Sequence, residues 1–271
     1  MTLDRLKRVE TSLVQALEDV RAEIAAEEAR LAEVAAPPPA IPEQAKGLKD
    51  AKPFFDYVRA HLFGGKMTAA QVEGCNAILK ACEGMPPAWV AYCLATAFHE
   101  TGRTMAPTSV ENLNYTSAAR LQAVWPSRFP TAASAAPFVK NPQGLANHVY
   151  NGRMGNAPGS NDGWTYRGRT YPHITGKANY AKADEKLGLG GSLVSNPDRA
   201  FEPDIGAKIL VTGMDEGWFT GKSLNAFLPP VAEPPHFAAA RKIINPDSNG
   251  PVIAGYATGF QRGVMAAGWP A

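Results

Sequence analysis

The uncharged run W-V-A-Y-C-L-A-T-A-F, from Trp89 to Phe98, constrains the fold of this chain more than any other stretch. It is too short to cross a membrane and too apolar to lie on a surface, so it predicts a buried helix. Pro86-Pro87 precede the run and suit the first turn of a helix, and Gly102 suits its end. The pattern therefore places the carboxylate of Glu100 where a buried helix emerges from the core.

Glu100 and Glu111 form a candidate pair of acid and base. Poor solvation at the end of a buried helix disfavours the charged form of a carboxylate, which lets such a group hold a proton near neutrality, as a general acid must. The alternative is that Glu100 simply ends the helix in solvent. The loop 101–110 contains Pro and Gly and can fold back, placing Glu111 across a cleft from Glu100. Two carboxylates in unlike surroundings suit glycoside hydrolysis, although Glu111 could instead pair with Arg103 or Arg167.

Aromatic, guanidinium and amide groups alternate in N-D-G-W-T-Y-R-G-R (161–169) and H-I-T-G-K-A-N-Y (173–180). Trp and Tyr faces stack on sugar rings, while Arg and Asn bind hydroxyl and acetamido groups. A nucleic-acid loop is the weaker alternative, because residues 51–271 hold 20 Lys and Arg against 15 Asp and Glu, a net charge of only +5. We therefore expect no nucleic-acid partner, whereas a mildly basic body suits an anionic polymer such as a bacterial wall.

Residues 1–36 have the pattern of a coiled-coil helix, and the Pro-rich stretch that follows predicts a linker over residues 37–51. Two glutamates, Glu10 and Glu27, interrupt the apolar seam. We expect a homo-oligomer through residues 3–34; the alternative is an amphipathic helix packed on its own domain. The seam consists of Leu3, Leu6, Leu13, Leu17, Val20, Ile24, Leu31 and Val34.

Residues 52–271 predict one mainly α domain, with a short hairpin around Tyr166–Ile174. Cys75 and Cys82 lie seven residues apart on one predicted helix, about 10 Å between Cα atoms, which is beyond disulfide reach. We therefore expect reduced cysteines in the core. The sequence has no C-x-x-C or H-E-x-x-H spacing, so we expect neither a metal nor a cofactor.

Five motifs in the order HETG, ENLNY, NGRMGN, DGW-x-YRGR and ITGKANY closely resemble those of glycoside hydrolase family 19. The resemblance covers roughly residues 52–268. It is nearest to the lysozyme-like branch of phage endolysins and bacterial wall hydrolases; plant-type chitinases form the other branch. It implies a lysozyme-like α+β catalytic domain, mainly α, with an inverting, metal-free mechanism. The whole chain would then be a lysozyme-like glycoside hydrolase domain behind an N-terminal coiled-coil helix.

By this resemblance Glu100 is the general acid and Glu111 the carboxylate that activates water, with Thr116 positioning that water. His99 either orients Glu100 or is an ordinary core histidine. The substrate-binding positions that the motifs imply are His99, Asn114, Tyr115, Thr116, Tyr166, Arg167, Arg169, His173, Thr175, Asn179, Arg241 and Asn245.

Two departures from the family pattern concern sugar contacts more than the class of reaction. His173 stands where a substrate-binding Gln is usual, which makes that contact sensitive to pH. Pro246-Asp247 replaces the usual Gly-Gly after Asn245, so we expect a stiffer and more acidic turn.

The favoured function is a peptidoglycan hydrolase, endolysin or virion-associated lysozyme, that cleaves β-1,4 bonds between aminosugars of the wall glycan strands. The NGRMGN stretch and the lack of a disulfide set favour it over a chitinase on the same fold. A third alternative is a catalytically silent wall-binding component of a phage particle. No secretory pattern or membrane-spanning run occurs. We therefore expect synthesis in a bacterial cytoplasm without a signal peptide or membrane insertion. Action on the wall would follow release by lysis machinery or carriage on a virion or tail assembly.

Overall fold

The computed structural model describes residues 21, 48 and 50–269. The predicted coiled coil (1–36) and nearly all of the predicted linker (37–51) lie outside the described residues, and the homo-oligomer through residues 3–34 remains a prediction.

The described part of the chain is a succession of α-helices joined by loops and short 3₁₀-helices, which confirms the predicted mainly α domain. The α-helices are α1 (Ala51–His61), α2 (Ala69–Ala81), α3 (Pro87–Glu100), α4 (Ala118–Val124), α5 (Ala132–Ala135), α6 (Pro142–Tyr150), α7 (Asp162–Thr165), α8 (Lys177–Lys186), α9 (Ser192–Ser195), α10 (Pro203–Asp215), α11 (Pro234–Ala239) and α12 (Gly250–Ala266). The 3₁₀-helices are Ala136–Phe138, Pro197–Phe201, Leu224–Ala226 and Ala240–Ile243.

The buried helix predicted from the uncharged run is α3, which lies at the centre of the largest apolar cluster. Every residue of α3 before its last two is buried except Trp89. The helix packs most extensively along α12 and also contacts α2 and α10. Removing this much apolar surface from water is the main favourable contribution to folding, so α3 and its C-terminal residue Glu100 have a fixed place in the domain.

The cysteines lie where the sequence predicts them, since Cys75, Cys82 and Cys93 are free and buried. At the start of α2, Thr68 and Gln71 form a capping box, in which the Thr68 N–H donates to the Gln71 side chain at 2.8 Å and the Gln71 N–H donates to Thr68 at 3.2 Å.

Two smaller apolar clusters build the part of the domain that carries the polar loops. One consists of Leu113, Leu121, Phe129, Ala135, Leu145, Ala146 and Val149, and the other of Tyr166, Ile174, Tyr180, Ala183, Leu193, Ala200, Ile205 and Ile209. Arg169 makes antiparallel bridges with Val110 on one side and Ile174 on the other. The predicted hairpin is thus reduced to single bridges, which join the segment before Glu111 to the predicted sugar-binding loop.

Among the described helices, none has both the length and the apolar composition that crossing a membrane requires.

Candidate active site

Glu100 lies at the C-terminal end of the buried helix α3, as the sequence predicts, and it has a basic partner there. The Nη1 atom of Arg241 donates to Oε1 of Glu100 at 2.5 Å. The Arg241 side chain is 5% exposed and that of Glu100 is 24% exposed, so the pair is largely screened from water. Because the C-terminal end of a helix disfavours an added negative charge, Arg241 offsets the unfavourable position of Glu100 at the end of α3.

Arg241 also binds Asp247, the acidic residue of the unusual turn. Its Nε and Nη2 atoms donate to the two carboxylate oxygens of Asp247 at 2.9 and 2.6 Å. These hydrogen bonds hold the pKa of Asp247 well below its usual range. Burial opposes the charge of Arg241, but the bonds to Asp247 and Glu100 outweigh it and raise the arginine pKa. The turn is acidic as predicted. Its carboxylate binds the edge of the guanidinium formed by Nε and Nη2, and Glu100 binds Nη1.

Glu111 is held by uncharged donors. The Tyr150 hydroxyl donates to Oε1 of Glu111, and the Gly168 N–H approaches Oε2 at 3.4 Å. The Glu111 N–H donates in turn to the Gly168 carbonyl at 3.0 Å. A Cβ atom on Gly168 would lie 3.2 Å from Cβ of Glu111 and 3.1 Å from Cβ of His173, so the close approach of these segments needs a glycine. Burial, followed by the charge of Glu111, raises the pKa of Tyr150.

The alternative in which Glu111 pairs with Arg103 or Arg167 is not what the structure shows. Within residues 50–269, Glu111 forms no ion pair. Arg167 lies over the Trp164 ring, 3.9 Å from its centroid, and donates to the Trp164 carbonyl at 2.9 Å. Arg103 lies over the rings of Phe98 and Tyr256 at 5.6 and 5.8 Å.

His173 belongs to the predicted sugar-binding loop, and the charges of both carboxylates act on its imidazole. Although the residue is partly exposed, loss of solvation lowers the pKa of its imidazole, while the charges of Glu111 and Glu100 raise it to a smaller extent. Glu111 lies close to His173, because a Cβ atom on Gly168 would contact both residues, and the charge of Glu100 also acts on the imidazole. The Nε2 atom of His173 is 2.9 Å from the Ser109 hydroxyl, and the backbone at His173 has a φ of 51°, a conformation that His adopts more readily than most residues.

Arg169 and Tyr166, two of the predicted substrate-binding residues, occupy buried positions in which their polar groups have partners within the domain. Arg169 is 3% exposed; its Nε donates to Asp198 at 2.8 Å and its Nη1 to the Tyr180 hydroxyl and to backbone carbonyls. Tyr166 is 6% exposed and donates to the Val194 carbonyl at 3.1 Å. Their polar atoms are thus used inside the domain, where they hold the loop in shape.

Three of the predicted residues, His173, Thr175 and Asn179, border a cavity of about 210 Å³. Thr175 donates to the His173 carbonyl at 3.2 Å, and Asn179 donates to the Thr175 carbonyl at 2.7 Å. The lining consists of Met154, Pro172, His173, Ile174, Thr175, Asn179, Lys182, Trp218, Phe219 and Ile244. Trp218 packs against the apolar cluster that contains Tyr166 and also lines this cavity.

The segment after Glu111 presents polar side chains to solvent. Asn114 and Thr116 are exposed, and Tyr115 is half-buried with its ring edge-on to Trp125, the centroids 5.3 Å apart. Their exposure leaves these groups free to meet a ligand, and their role remains a prediction.

His99 and Asn245 lie beside the two ion-paired carboxylates. The His99 ring is half-buried and 6.5 Å from the ring of Tyr256, and no hydrogen bond within residues 50–269 joins it to Glu100. Asn245 is exposed and donates to Asp247 at 3.2 Å. In the structure Asn245 therefore helps to hold the turn that binds Arg241.

No group of His, Cys, Asp and Glu side chains in the described part of the chain has the arrangement of a metal site.

Sequence reasoning missed Tyr150 and Ser109. Tyr150 ends α6 and lies 39 residues from Glu111 along the chain, and Ser109 lies 64 residues from His173. No local spacing signals such contacts. The one available hint was that Tyr150 immediately precedes the NGRMGN motif.

A protein of Haemophilus influenzae described as a glycosyl hydrolase family 19 domain-containing protein is 35% identical to this chain over 160 residues. The match spans 58% of this chain and 74% of the relative. No family model matches the chain. The similarity to this relative over most of its length agrees with the motifs and with the mainly helical fold, and the chain belongs to glycoside hydrolase family 19.

Proposed function

We propose that this glycosidase is a peptidoglycan hydrolase that cleaves the β-1,4 bonds between aminosugars with inversion. One observation carries the proposal: Glu100 and Glu111 come from separate elements and have unlike partners, a guanidinium for Glu100 and uncharged donors for Glu111. An inverting glycosidase needs such a pair, since one carboxyl protonates the leaving oxygen and the other activates water.

Glu100 is the proposed general acid. Its carboxyl ends the buried helix α3, and Arg241 fixes its orientation through one hydrogen bond. In the proposed reaction this carboxyl delivers a proton to the glycosidic oxygen. Arg241 also binds Asp247 and keeps the pKa of Asp247 well below its usual range, so Asp247 is the poorer candidate for the acid.

Glu111 is the proposed base. The Tyr150 hydroxyl and the Gly168 N–H both donate hydrogen bonds to its carboxylate, which acts as the acceptor in each. They fix its orientation and leave lone pairs to accept a proton from water. Thr116, exposed five residues further on, is the proposed second partner of that water.

The preference for peptidoglycan over chitin rests on charge and on the motifs. Residues 51–271 carry a net charge of +5, which favours a wall polymer with acidic peptides over a neutral glycan. The motifs are nearest to the lysozyme-like branch, in which phage endolysins and virion-associated lysins occur. A chitinase, or a silent wall-binding protein, would differ in the assay below.

The test is lysis of outer-membrane-permeabilised Gram-negative cells, followed by mass spectrometry of the fragments. Fragments with reducing ends on N-acetylmuramic acid support the proposal. Release of sugars from chitin but not from walls would identify a chitinase, and wall binding without cleavage would identify the silent alternative. Glu202→Gln is the matched control for replacing Glu100 or Glu111 by Gln. Glu202 is exposed and pairs locally, with Arg199 three residues away.

A further inference from the structure

The cavity bordered by His173 and Thr175 has a second wall that the proposed catalytic roles leave unused. Its first wall adjoins Glu111, because a Cβ atom on Gly168 would lie 3.1 to 3.2 Å from atoms of Glu111, His173 and Thr175. The second wall is formed by Met154, Trp218, Phe219 and Ile244 together with Lys182. The cavity is therefore a side pocket of the site that holds Glu111.

The second wall of this pocket combines apolar side chains with one cation. The ammonium of Lys182 lies 5.5 Å from the centroid of the Trp218 ring. The nearby carboxylate of Glu216 is bound by Lys186 at 2.9 Å and by Trp218 Nε1 at 3.0 Å. Within residues 50–269 Lys182 forms no ion pair, so its charge is available to a ligand in the pocket.

A sugar ring of chitin offers this pocket nothing that matches the charge, because its hydroxyl and acetamido groups are neutral. Muramic acid differs by a lactyl ether that carries a peptide, and this substituent combines methyl groups with carboxylates. The volume of about 210 Å³ is below the roughly 300–1,000 Å³ of pockets that enclose whole small ligands. It suits a substituent rather than a further length of glycan.

We propose that this side pocket binds the lactyl-peptide substituent of a muramic acid residue in the cleft. The methyl groups of the lactyl unit and of the first amino acid lie against Met154, Trp218 and Ile244, and Lys182 binds a carboxylate of the peptide. This proposal rests on the proposed function and names the chemical group by which the site would recognise peptidoglycan.

Lys182→Met tests the charge while keeping an unbranched apolar stem over Trp218. The rate of reducing-end release is measured on purified sacculi and on the same sacculi after an N-acetylmuramoyl-L-alanine amidase has removed the peptides. The lactyl carboxylate that the amidase leaves is first converted to its neutral amide with a carbodiimide and ammonia. Because a solvent-accessible ion pair contributes modestly, we expect kcat/KM on intact sacculi to fall about two- to fivefold more than on stripped strands. Lys182→Arg should restore most of the difference, and Lys208→Met, an exposed lysine on α10 away from the pocket, should not reproduce it.

The pocket proposal is overturned if Lys182→Met changes both substrates by the same factor, or changes neither. It is also overturned if Lys208→Met gives the same selectivity. If the wild-type protein releases reducing ends from both substrates and Lys182→Met leaves the ratio of the two rates unchanged, the result contradicts the pocket proposal alone. A wild-type protein that releases none from either contradicts the proposed hydrolysis itself.

Discussion

The Nη1 atom of Arg241 lies 2.5 Å from Oε1 of Glu100, although 141 residues separate them in the chain. The contact joins the end of the buried helix α3 to the 3₁₀-helix Ala240–Ile243. Since the same guanidinium binds Asp247 through two further hydrogen bonds, the orientation of Glu100 depends on a turn that departs from the family pattern.

We expect Asp247→Asn to lower the free energy of unfolding by about 1.5–3 kcal/mol at neutral pH, because hydrogen bonds between charged groups are lost at a buried arginine. Arg241 keeps the folded-state pKa of Asp247 below the unfolded value. The contribution of Asp247 is therefore complete above about pH 4 and disappears as the pH falls through the folded-state pKa. Urea unfolding of wild type and variant at pH 7, 5 and 3 measures it.

The stability difference between wild type and Asp247→Asn should be equal at pH 7 and 5 and smaller at pH 3. A difference that grows on acidification would contradict the assigned ion pair. Asp204→Asn is the control, since Asp204 pairs with Lys80 at the surface with both side chains more than half exposed, and such pairs contribute little.

We expect Glu111→Gln to lower the rate of wall-glycan hydrolysis by about 10²–10⁴, the usual contribution of a general base. Some activity should remain, because water keeps part of its nucleophilicity without a base. Glu202→Gln provides the matched control in the same reducing-end assay. A rate for Glu111→Gln near that of wild type would move the base role elsewhere, with Asp162 the next candidate.

His173 should make the protein less stable in acid. Loss of solvation lowers its folded-state pKa below the ordinary 6.5, so the unfolded chain binds the proton more readily as the pH falls through about 6.5. His173→Asn removes this effect and keeps a residue that tolerates the φ of 51°. Relative to wild type, the variant should be more stable at pH 5 than at pH 8 in urea titrations; an unchanged difference would show that the imidazole titrates as in the unfolded chain.

Much of the fold can be predicted from the sequence because its helices have strong local signals. The helix Pro142–Tyr150 follows the N-cap Asn141 with a proline in its first turn, and the helix Ala69–Ala81 begins with the capping box of Thr68 and Gln71. Both are start signals that a sequence displays. The run before Glu100 has so little polar character that burial was its one stable outcome. Strand content was harder to predict, since the bridges of Arg169 involve single residues and leave almost no periodic pattern.

The candidate site was less predictable because its contacts join distant parts of the chain. The motifs identify Arg169 and Tyr166, but whether a guanidinium or a ring points into a cleft or into the domain depends on neighbours such as Asp198 and Val194. The partner of Glu111 is likewise set by the packing of α6, which brings Tyr150 to it.

A chain truncated to start at Gly47, which keeps the buried Leu48 and the whole of α1, should be monomeric and still hydrolyse peptidoglycan, whereas the full chain should be oligomeric. The apolar seam of residues 3–34 has no predicted partner within the chain because of the Pro-rich linker, so burial between chains removes it from water. Light scattering at micromolar concentration measures both. A monomeric full chain contradicts the predicted coiled coil, and a truncated chain that fails to fold would show that residues 1–46 contribute to the core.

The most direct test of the account is the initial rate of reducing-end release from purified sacculi by Glu100→Gln. We expect a loss of at least about 10², since Glu100 is the proposed donor of the proton to the leaving oxygen. The variant should remain folded, with a loss of about 1–2 kcal/mol in unfolding free energy because Arg241 gives up one charged hydrogen bond but keeps Asp247. A folded Glu100→Gln protein that releases reducing ends at the wild-type rate would contradict the account.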